Sequence, residues 1–326
     1  MLDGVLTEVS ELWKKRGYGT NVGHDFHGHR LTHIAFADDQ TLVARSWVSM
    51  KRMILMLRSA LHDRGLSLHP TKCKVQTTNS NFTRRGQVSI AEGFSIEVLP
   101  PGENLELLGT ALSLVDPTGE EITNRTAVGW RKFLAMKHLL LNKSFSIKKR
   151  LRLFDTTVAE CILWSTESWT PRAEELRRLR VTQHTMLRRI VGCGRAEEET
   201  WVDWIQRATC KARRLARDSA VKEWAPEHFK RKWRWAGATA NKDPNEWVWK
   251  VTEWRDAAWQ AAANELGAAR PMRPSSRKWM RFEDVMRRFC TQRALGDWRS
   301  LASSSTVWQA LSSYLVEWAA EAKFDE

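Results

Sequence analysis

The sequence predicts an α+β protein, with an antiparallel hairpin and helices in the amino-terminal part and a mainly α-helical remainder. Two observations lead to this prediction. Up to about residue 115, short apolar runs of strand length alternate with turn residues. From about Thr118 onward, apolar residues recur every three or four positions, which is the helical period. The chain has 326 residues, of which 42% are hydrophobic, so it can form one large domain or two modest ones.

Two strand-like runs flank an acidic turn near the amino terminus. Before them, residues 4–16 form a predicted helix with apolar residues on one face. Residues 31–36 and 41–44 are apolar and of strand length, and the sequence Ala-Asp-Asp-Gln at 37–40 lies between them. The pattern therefore predicts two strands joined by a turn that carries adjacent carboxylates.

The segment after this hairpin is predicted to contain a helix, a strand, a loop and another strand. Ser46 is a suitable N-cap, apolar residues follow at steps of three or four, and Gly65 ends the helix. A strand is predicted around Val75 and a polar loop at 77–93. A further strand is predicted at 105–109.

The remainder of the chain is predicted to be helical. The helical pattern covers residues 147–163, 171–190, 201–224, 247–258 and 308–318. Pro171 is placed in the first turn of its helix, where proline is favoured. The Gly and Pro residues at 267–276 mark the best candidate for a linker.

The charge of the chain indicates a polyanionic partner. Lys and Arg number 52 against 38 Asp and Glu, which gives a formal net charge of +14. Between Arg125 and Ile190 there are 15 basic residues and 5 acidic ones, so most of the excess lies in one region. Nucleic acid is the leading partner for a protein this basic. The alternative is a basic surface that is merely solvated.

Tryptophan is used far more than in ordinary proteins. The chain has 18 tryptophans, most of them at or beyond residue 201. A buried indole contributes a large apolar area to a core, whereas an exposed one can stack on a base. The core interpretation is favoured, and base stacking is the alternative.

The five cysteines are widely spaced and form no Cys-x-x-Cys motif, so neither a zinc site nor a disulfide framework is indicated. This usage is typical of a reducing compartment. No apolar run approaches the length of a membrane span, and the amino terminus has no secretory signal pattern. We therefore expect an intracellular protein, nuclear or cytoplasmic, without a membrane partner.

The adjacent carboxylates of the acidic turn suit a hard divalent cation. Mg²⁺ prefers oxygen ligands and is often held by one or two carboxylates together with substrate phosphates. In nucleotidyl transfer, two such ions stabilise the attacking and leaving oxygens. The alternative for Asp38 and Asp39 is an acidic β-turn without a catalytic role, because Asp is common in turns.

The order of these segments resembles the palm of non-LTR retrotransposon reverse transcriptases. Phe36-Ala37-Asp38-Asp39 resembles that family's aromatic-Ala-Asp-Asp hairpin. Residues 65–72 resemble a Gly-Leu-x-x-Asn-x-x-Lys turn, with His69 where Asn is usual. Residues 107–109 resemble a Tyr-Leu-Gly strand, with Leu107 in place of the aromatic.

The likeness continues through nearly the whole chain. Residues 163–169 resemble a Leu-Tyr-Gly-x-Glu-x-Trp segment of the family's thumb-like helices, and residues 187–192 resemble the Leu-Arg-x-Ile-x-Gly that follows. Residues 232–237 and 270–279 resemble later Trp-Leu-Gly and Arg-Pro-x-x-Arg-Trp segments. The resemblance implies three parts: a partial palm at 1–115, a basic thumb-like helical region at 116–195 and a Trp-rich helical region at 196–326.

The resemblance also implies roles for single residues. Asp38 would be the main ligand of Mg²⁺ and Asp39 its weaker neighbour. Lys72 would lie near the incoming triphosphate and aid the departure of pyrophosphate as an acid. The alternative for Lys72 is a solvated lysine in a turn.

Four cations of one predicted thumb helix would contact the phosphates of the RNA template and DNA primer: Lys148, Lys149, Arg150 and Arg152. The alternative is a solvated helix face.

A palm of this family also needs a third carboxylate, on an earlier strand. Asp3, Glu8, Glu11 and Asp25 precede the acidic turn, and none lies in a suitable apolar strand. The resemblance therefore implies a truncated reverse transcriptase that does not polymerise DNA by itself. A non-catalytic nucleic-acid-binding protein derived from it, and an inert product with no selected role, are the alternatives.

Overall fold

The computed structural model describes residues 2–21, 30–78, 84–100, 102–253 and 282–321. These residues form two compact units. Unit 1 contains those up to Val115 together with 243–253, and unit 2 contains 116–242 and 282–321. The sequence also places a division after residue 115. Its second boundary, after residue 195, falls inside unit 2, and the predicted linker lies outside the described residues, so the three-part division stays a prediction.

The helices of the described ranges are α1 (Leu2–Lys15), α2 (Trp47–His62), α3 (Pro117–Ala135), α4 (Lys137–Leu140), α5 (Ile147–Ile162), α6 (Ala173–Val191), α7 (Trp201–Asp218), α8 (Trp224–Ala240), α9 (Trp247–Glu253), α10 (Phe282–Gln292), α11 (Trp298–Ala302) and α12 (Ser305–Glu321). The strands are β1 (Thr20–Asn21), β2 (Arg30–Leu31), β3 (His33–Phe36), β4 (Asp39–Leu42), β5 (Lys74–Gln76), β6 (Gly86–Ala91), β7 (Phe94–Leu99), β8 (Leu105–Leu107) and β9 (Thr110–Leu112).

In unit 1, the apolar faces of α1 and α2 share one core. Its buried side chains are Val5, Leu6, Val9, Trp13, Tyr18, Met53, Leu57 and Leu61. The predicted cap of α2 is confirmed, because the Ser46 hydroxyl accepts a hydrogen bond of 3.2 Å from the backbone N–H of Ser49. This pair of helices supports the strands that follow and precede α2.

A three-stranded sheet corrects one prediction. β7 pairs in parallel with β5 and antiparallel with β6, so the polar loop predicted at 77–93 is wrong where β6 lies. Phe94, Ile96 and Val98 of β7 alternate inward and are buried, and Gly93 takes a positive φ of 68° in the turn before them. In the sequence, β6 shows an alternation of apolar and polar residues, but it contains fewer apolar residues than β7 does.

Strand β8 ends two residues before the end of the strand predicted at 105–109, because the chain turns there into β9. Leu107 pairs with Thr110, so Leu108 and Gly109 are the two central residues of the turn. Their φ angles of 50° and 75° are both positive, which is the pattern of a type I′ turn. Glycine is the natural residue at the second position, because it has no Cβ to oppose a left-handed backbone.

Unit 2 contains two helical cores. The first is formed mainly by α3, α5 and α6 and includes Phe133, Phe154, Leu179, Met186 and Trp224. The second joins α8 to α10, α11 and α12 and includes Trp233, Phe289, Trp298, Trp308 and Leu315. The buried residues of α7 are the alanines 208, 212 and 216, and their small side chains allow its backbone to lie close to α6.

Two helix boundaries in unit 2 differ from the prediction. Pro171 lies outside α6, which begins at Ala173 after the N-cap Arg172; the backbone N–H of Arg172 donates to Glu175. The continuous helical pattern at 201–224 is divided into α7 and α8. The break contains Ala220, whose φ of 55° cannot occur inside a right-handed helix.

The core interpretation of the tryptophans is confirmed for the largest buried side chains. Five indoles are fully buried, namely those of Trp13, Trp169, Trp224, Trp233 and Trp298. Among the described residues, the indoles of Trp164, Trp201 and Trp247 are exposed. Base stacking therefore stays open for these exposed rings.

Candidate nucleic-acid interface

The acidic turn forms the tip of the β3–β4 hairpin. Phe36 pairs with Asp39, so the turn contains only Ala37 and Asp38. It is tighter than predicted, because Asp39 and Gln40 belong to β4. Both aspartates are exposed at the tip. Ala37 has a φ of 52°, a value that costs a residue with a Cβ some backbone strain.

The described residues contain no group of three or more acidic, His or Cys side chains that could hold a metal ion. Two of the earlier carboxylates, both on α1, are engaged in ion pairs: Glu8 binds Arg64 at 2.9 Å and Glu11 binds Lys14 at 2.8 Å. Asp25 lies outside the described residues. Asp38 and Asp39 are oxygen donors of the kind that Mg²⁺ prefers, but the Mg²⁺ site stays a prediction.

The hairpin presents an apolar face beside the acidic tip. Ile34 is 46% exposed and Phe36 is 67% exposed. In the described part of the chain, β3 pairs only with β4, so its second edge is open. An open edge with apolar side chains favours pairing with another strand.

Lys72 ends a short 3₁₀ turn at Pro70–Lys72 that precedes β5. Its side chain is exposed, and no ion pair joins it to Asp38 or Asp39. The structure therefore places all three predicted catalytic side chains on the surface of unit 1 without a direct contact between Lys72 and the aspartates.

Arg150 corrects the prediction of a phosphate contact. Its side chain is buried, and its guanidinium donates hydrogen bonds to three backbone carbonyl oxygens: those of Phe145 at 3.2 Å, Leu140 at 3.3 Å and Ile190 at 2.5 Å. The guanidinium therefore fastens the first turn of α5 to the end of α6. A cation bound in this way cannot reach a nucleic-acid backbone.

The three other predicted cations of α5 are exposed. Lys148, Lys149 and Arg152 follow the N-cap Ser146, whose hydroxyl accepts a hydrogen bond from the backbone N–H of Lys149. They are accessible to a polyanion, and their contact with phosphates stays a prediction.

A second group of cations, on α6 and α7, was missed by the sequence reasoning. Arg180 and Arg188 lie on one face of α6, four residues before and four after His184. Burial lowers the pKa of the His184 imidazole, and the nearby Arg213 guanidinium of α7 lowers it further, against a smaller opposing effect of Glu223. The spacing on α6 was visible in the sequence, but the position of α7 beside it was not.

The segments that resemble the family's later motifs meet in a buried cluster. His228 of α8 is fully buried, and its Nδ1 donates to the carbonyl oxygen of Thr166 at 2.9 Å. The ring stacks on Trp169. Lys232 is also fully buried; its ammonium donates to the carbonyl oxygen of Trp169 and lies 4.7 Å from the centre of the Phe282 ring. These contacts give both motifs a structural role.

The buried histidine makes unit 2 sensitive to acid. Burial, followed by the charge of Lys232, lowers the pKa of His228 to about 3, against an ordinary value of about 6.5. Between these values the unfolded chain binds the additional proton. The free energy of unfolding should therefore fall as the pH falls from 6.5 towards 3, by up to about 1.4 kcal/mol per pH unit.

Denaturant unfolding of wild type and His228→Gln between pH 7 and pH 4 tests this expectation. The variant should show a shallower pH dependence, and His138→Gln, which removes an exposed histidine of the same unit, should keep the wild-type slope. Burial also lowers the pKa of Lys232, to about 7, but its effect on stability lies between that value and its ordinary pKa near 10.4. Equal slopes for wild type and His228→Gln would contradict the prediction.

No helix of the described ranges combines the length and the apolar character that a bilayer span requires.

The chain has a relative of transposon origin. Over 292 residues it is 26% identical to an uncharacterized transposon-derived protein of Caenorhabditis elegans, and the match covers 87% of this chain and 96% of that protein. No protein-family model matches the chain, and no solved structure matches it. The chain is thus similar, over nearly the full length of both, to a protein that derives from a transposon.

Proposed function

We propose that this chain derives from the RNA-directed DNA polymerase of a non-LTR retrotransposon and that, by itself, it holds nucleic acid without extending a primer. The β3–β4 hairpin carries the proposal, because it exposes Asp38 and Asp39 at the tip of a two-residue turn. In chain order, α2, the turn that ends at Lys72 and the β8–β9 hairpin follow it, as the resemblance requires. The transposon-derived relative supports the same origin.

The proposed lack of catalysis follows from the ligand set. When bound, Mg²⁺ would activate the primer hydroxyl and stabilise the leaving pyrophosphate. Asp38 and Asp39 would hold it, but the described residues supply no further carboxylate beside them. Exposed cations such as Lys148, Lys149 and Arg152 would bind the phosphates of the template and primer, in a manner that depends on salt.

Primer extension tests the proposal directly. The purified chain, with a labelled DNA primer on an RNA template, nucleotides and Mg²⁺ or Mn²⁺, should give no more product than its Asp38→Ala variant. In the same solutions, fluorescence anisotropy should show that the chain binds the primer–template and that its affinity falls steeply with salt. Robust extension that Asp38→Ala abolishes would overturn the proposed lack of catalysis.

The second candidate is a nucleic-acid-binding protein of the same origin whose acidic turn no longer binds metal, and the absence of a third described carboxylate beside Asp38 and Asp39 favours it. The two candidates differ in what Mg²⁺ does. A retained polymerase site should make primer–template binding tighter in Mg²⁺ than in matched monovalent salt, and Asp38→Asn should remove the difference. If Asp38→Asn and wild type respond to Mg²⁺ alike, the acidic turn has no metal-binding role and the second candidate is correct.

A further inference from the structure

A cleft in unit 2 lies between α6, α7 and the beginning of α8. Its volume is about 430 Å³. The polar side chains that matter for its chemistry are Gln183, His184, Arg213, Arg217, Lys222 and Lys230. Glu223 and Glu227 also line it. None of these side chains belongs to the predicted nucleic-acid-binding set on α5.

The acidic side chains of the cleft leave part of its positive charge unpaired. Glu227 is bound at 3.1 Å by Arg231. Glu223 is 56% exposed and lies 3.9 Å from Arg213, at the limit of an ion pair. Arg217 and Lys230 make no ion pair with any described residue, and both are exposed. The cleft therefore offers two free cations and a third that is only weakly held.

Hydrogen bonds fix the base of the cleft before any ligand arrives. The Gln183 amide donates to the carbonyl oxygen of Lys222 at 2.7 Å and accepts from the backbone N–H of Trp224 at 3.1 Å. The backbone N–H of Lys222 donates to Asp155 at 3.0 Å, and the Lys222 ammonium binds Glu160 at 2.8 Å. The connection between α7 and α8 is thus held in place, which lowers the entropy lost on binding.

The cationic side chains in and beside the cleft are suited to consecutive phosphate groups of a nucleic-acid backbone. No Phe, Tyr or Trp side chain lines the cleft, and His184 supplies the one aromatic ring among its lining residues, so the larger rings on which bases usually stack are missing from it. Arg180 and Arg188 lie on α6 four residues before and four after His184, and their separation of eight residues corresponds to about 12 Å along the helix. That length exceeds one phosphate group, and guanidinium groups are well suited to phosphate oxygens.

We propose that this cleft, with the arginines of α6 and α7 beside it, binds consecutive backbone phosphates of one nucleic-acid strand. The proposal rests on the proposed function, since it names a surface through which the chain holds nucleic acid. Binding through the backbone alone makes the contact independent of sequence. The α6–α7 surface then adds to the phosphate contacts of Lys148, Lys149 and Arg152.

Two double variants with the same loss of charge on the same helix test the proposal. Arg213→Gln/Arg217→Gln removes two cations that line the cleft, and Lys211→Gln/Arg214→Gln removes two exposed cations of α7 that do not line it. Binding of a labelled single strand of about 20 nucleotides is measured by anisotropy over a series of salt concentrations. Far-UV circular dichroism and thermal unfolding check that each variant folds as wild type does.

The cleft variant should bind the strand about tenfold more weakly and reduce the slope of log K against log salt by about 1.4, the value for two lost contacts to a single strand. The α7 control should keep a slope close to wild type. Restoration of binding by Arg213→Lys/Arg217→Lys would support a contact through charge. Equal loss in the cleft variant and the control would overturn the proposal.

Further outcomes separate this proposal from others. If a free nucleoside triphosphate displaces the strand from wild type at low concentration but not from the cleft variant, the cleft is a nucleotide site and the strand proposal is wrong. If Lys148→Gln/Lys149→Gln weakens binding while the cleft variant matches its control, the proposed function stands and only the cleft proposal fails. If wild type binds no nucleic acid, the proposed function fails with it.

Discussion

Trp233→Ala should lower the free energy of unfolding of unit 2 by about 3–5 kcal/mol, as expected for truncation of a fully buried tryptophan. The Trp233 ring is parallel to that of Trp308, with 3.5 Å between their centres. Each indole N–H donates to the backbone carbonyl oxygen of the other residue, at 2.7 Å and 3.0 Å. The substitution therefore leaves a cavity and removes the indole N–H that donates a hydrogen bond to the Trp308 carbonyl oxygen.

The neighbouring glycine explains why this pair can form. A methyl group on Gly237 would overlap the Trp308 indole nitrogen, so only glycine admits the ring at that depth. The Trp-Arg-Trp-Ala-Gly sequence at 233–237, which resembles a family signature, thus supplies residues that pack α8 against α12.

Guanidinium titration followed by far-UV circular dichroism measures the effect. Trp201→Ala is the matched control, because Trp201 is 62% exposed in the same unit; its substitution should change stability by less than about 0.5 kcal/mol. A loss below about 1 kcal/mol for Trp233→Ala would mean that the Trp233–Trp308 pair does not hold the second core together.

Arg150→Ala should destabilise unit 2 by roughly 3 kcal/mol, because it leaves buried carbonyl oxygens without a donor. Three carbonyls depend on the one guanidinium. Arg150→Lys should recover only part of the loss, since an ammonium cannot reproduce the fork of donors. Lys149→Ala, one residue away and exposed, should leave stability nearly unchanged.

For nucleic-acid affinity we expect the reverse order: substitution of Lys149 should have the larger effect and substitution of Arg150 the smaller one. Lys149→Ala should weaken binding of the primer–template while the protein remains stable. Arg150→Lys, studied at a temperature at which it is folded, should bind nearly as wild type does. If Arg150→Lys keeps its stability and loses affinity, the guanidinium contacts phosphate and its structural role is wrong.

These two residues show how far the sequence could predict the site. Lys149 and Arg150 are adjacent cations in one basic helix. Arg150 has the spacing of the apolar face, four residues before Phe154, but that spacing does not show which groups bind its charge. The difference arises because the carbonyl of Ile190, 40 residues later, lies against the Arg150 guanidinium. A contact over that distance in sequence depends on how α5 and α6 pack, and helical periodicity does not contain that information.

For the cations of α6 and α7, the sequence shows the separate residues but not the cleft beside which they lie. Arg180 and Arg188 are visible as a stripe on one predicted helix, and Arg213 and Arg217 on another. Their convergence depends on the alanines by which α7 packs against α6 and on the turn at Ala220 that separates α7 from α8. The sequence predicted one long helix there, so it could not predict the cleft.

The sequence by itself determined the features that depend on near neighbours. The spacing of apolar residues predicted α1, α2, α5 and α12, Ser46 predicted the cap of α2, and the acidic turn between two apolar runs predicted the β3–β4 hairpin. Each is stabilised within a few residues, by backbone hydrogen bonds and by side chains one turn or one strand away. Local patterns are therefore sufficient for them.

Only the tertiary structure decided which charged side chains remain available to a ligand. It buried Arg150, His228 and Lys232 and left Asp38 and Asp39 exposed on a short hairpin. It also brought Arg213 and Arg217 of α7 beside His184 of α6 in one cleft. The physical reason is that desolvation and ion pairing depend on all the groups around a charge, and in this protein those groups come from helices that are far apart in the sequence.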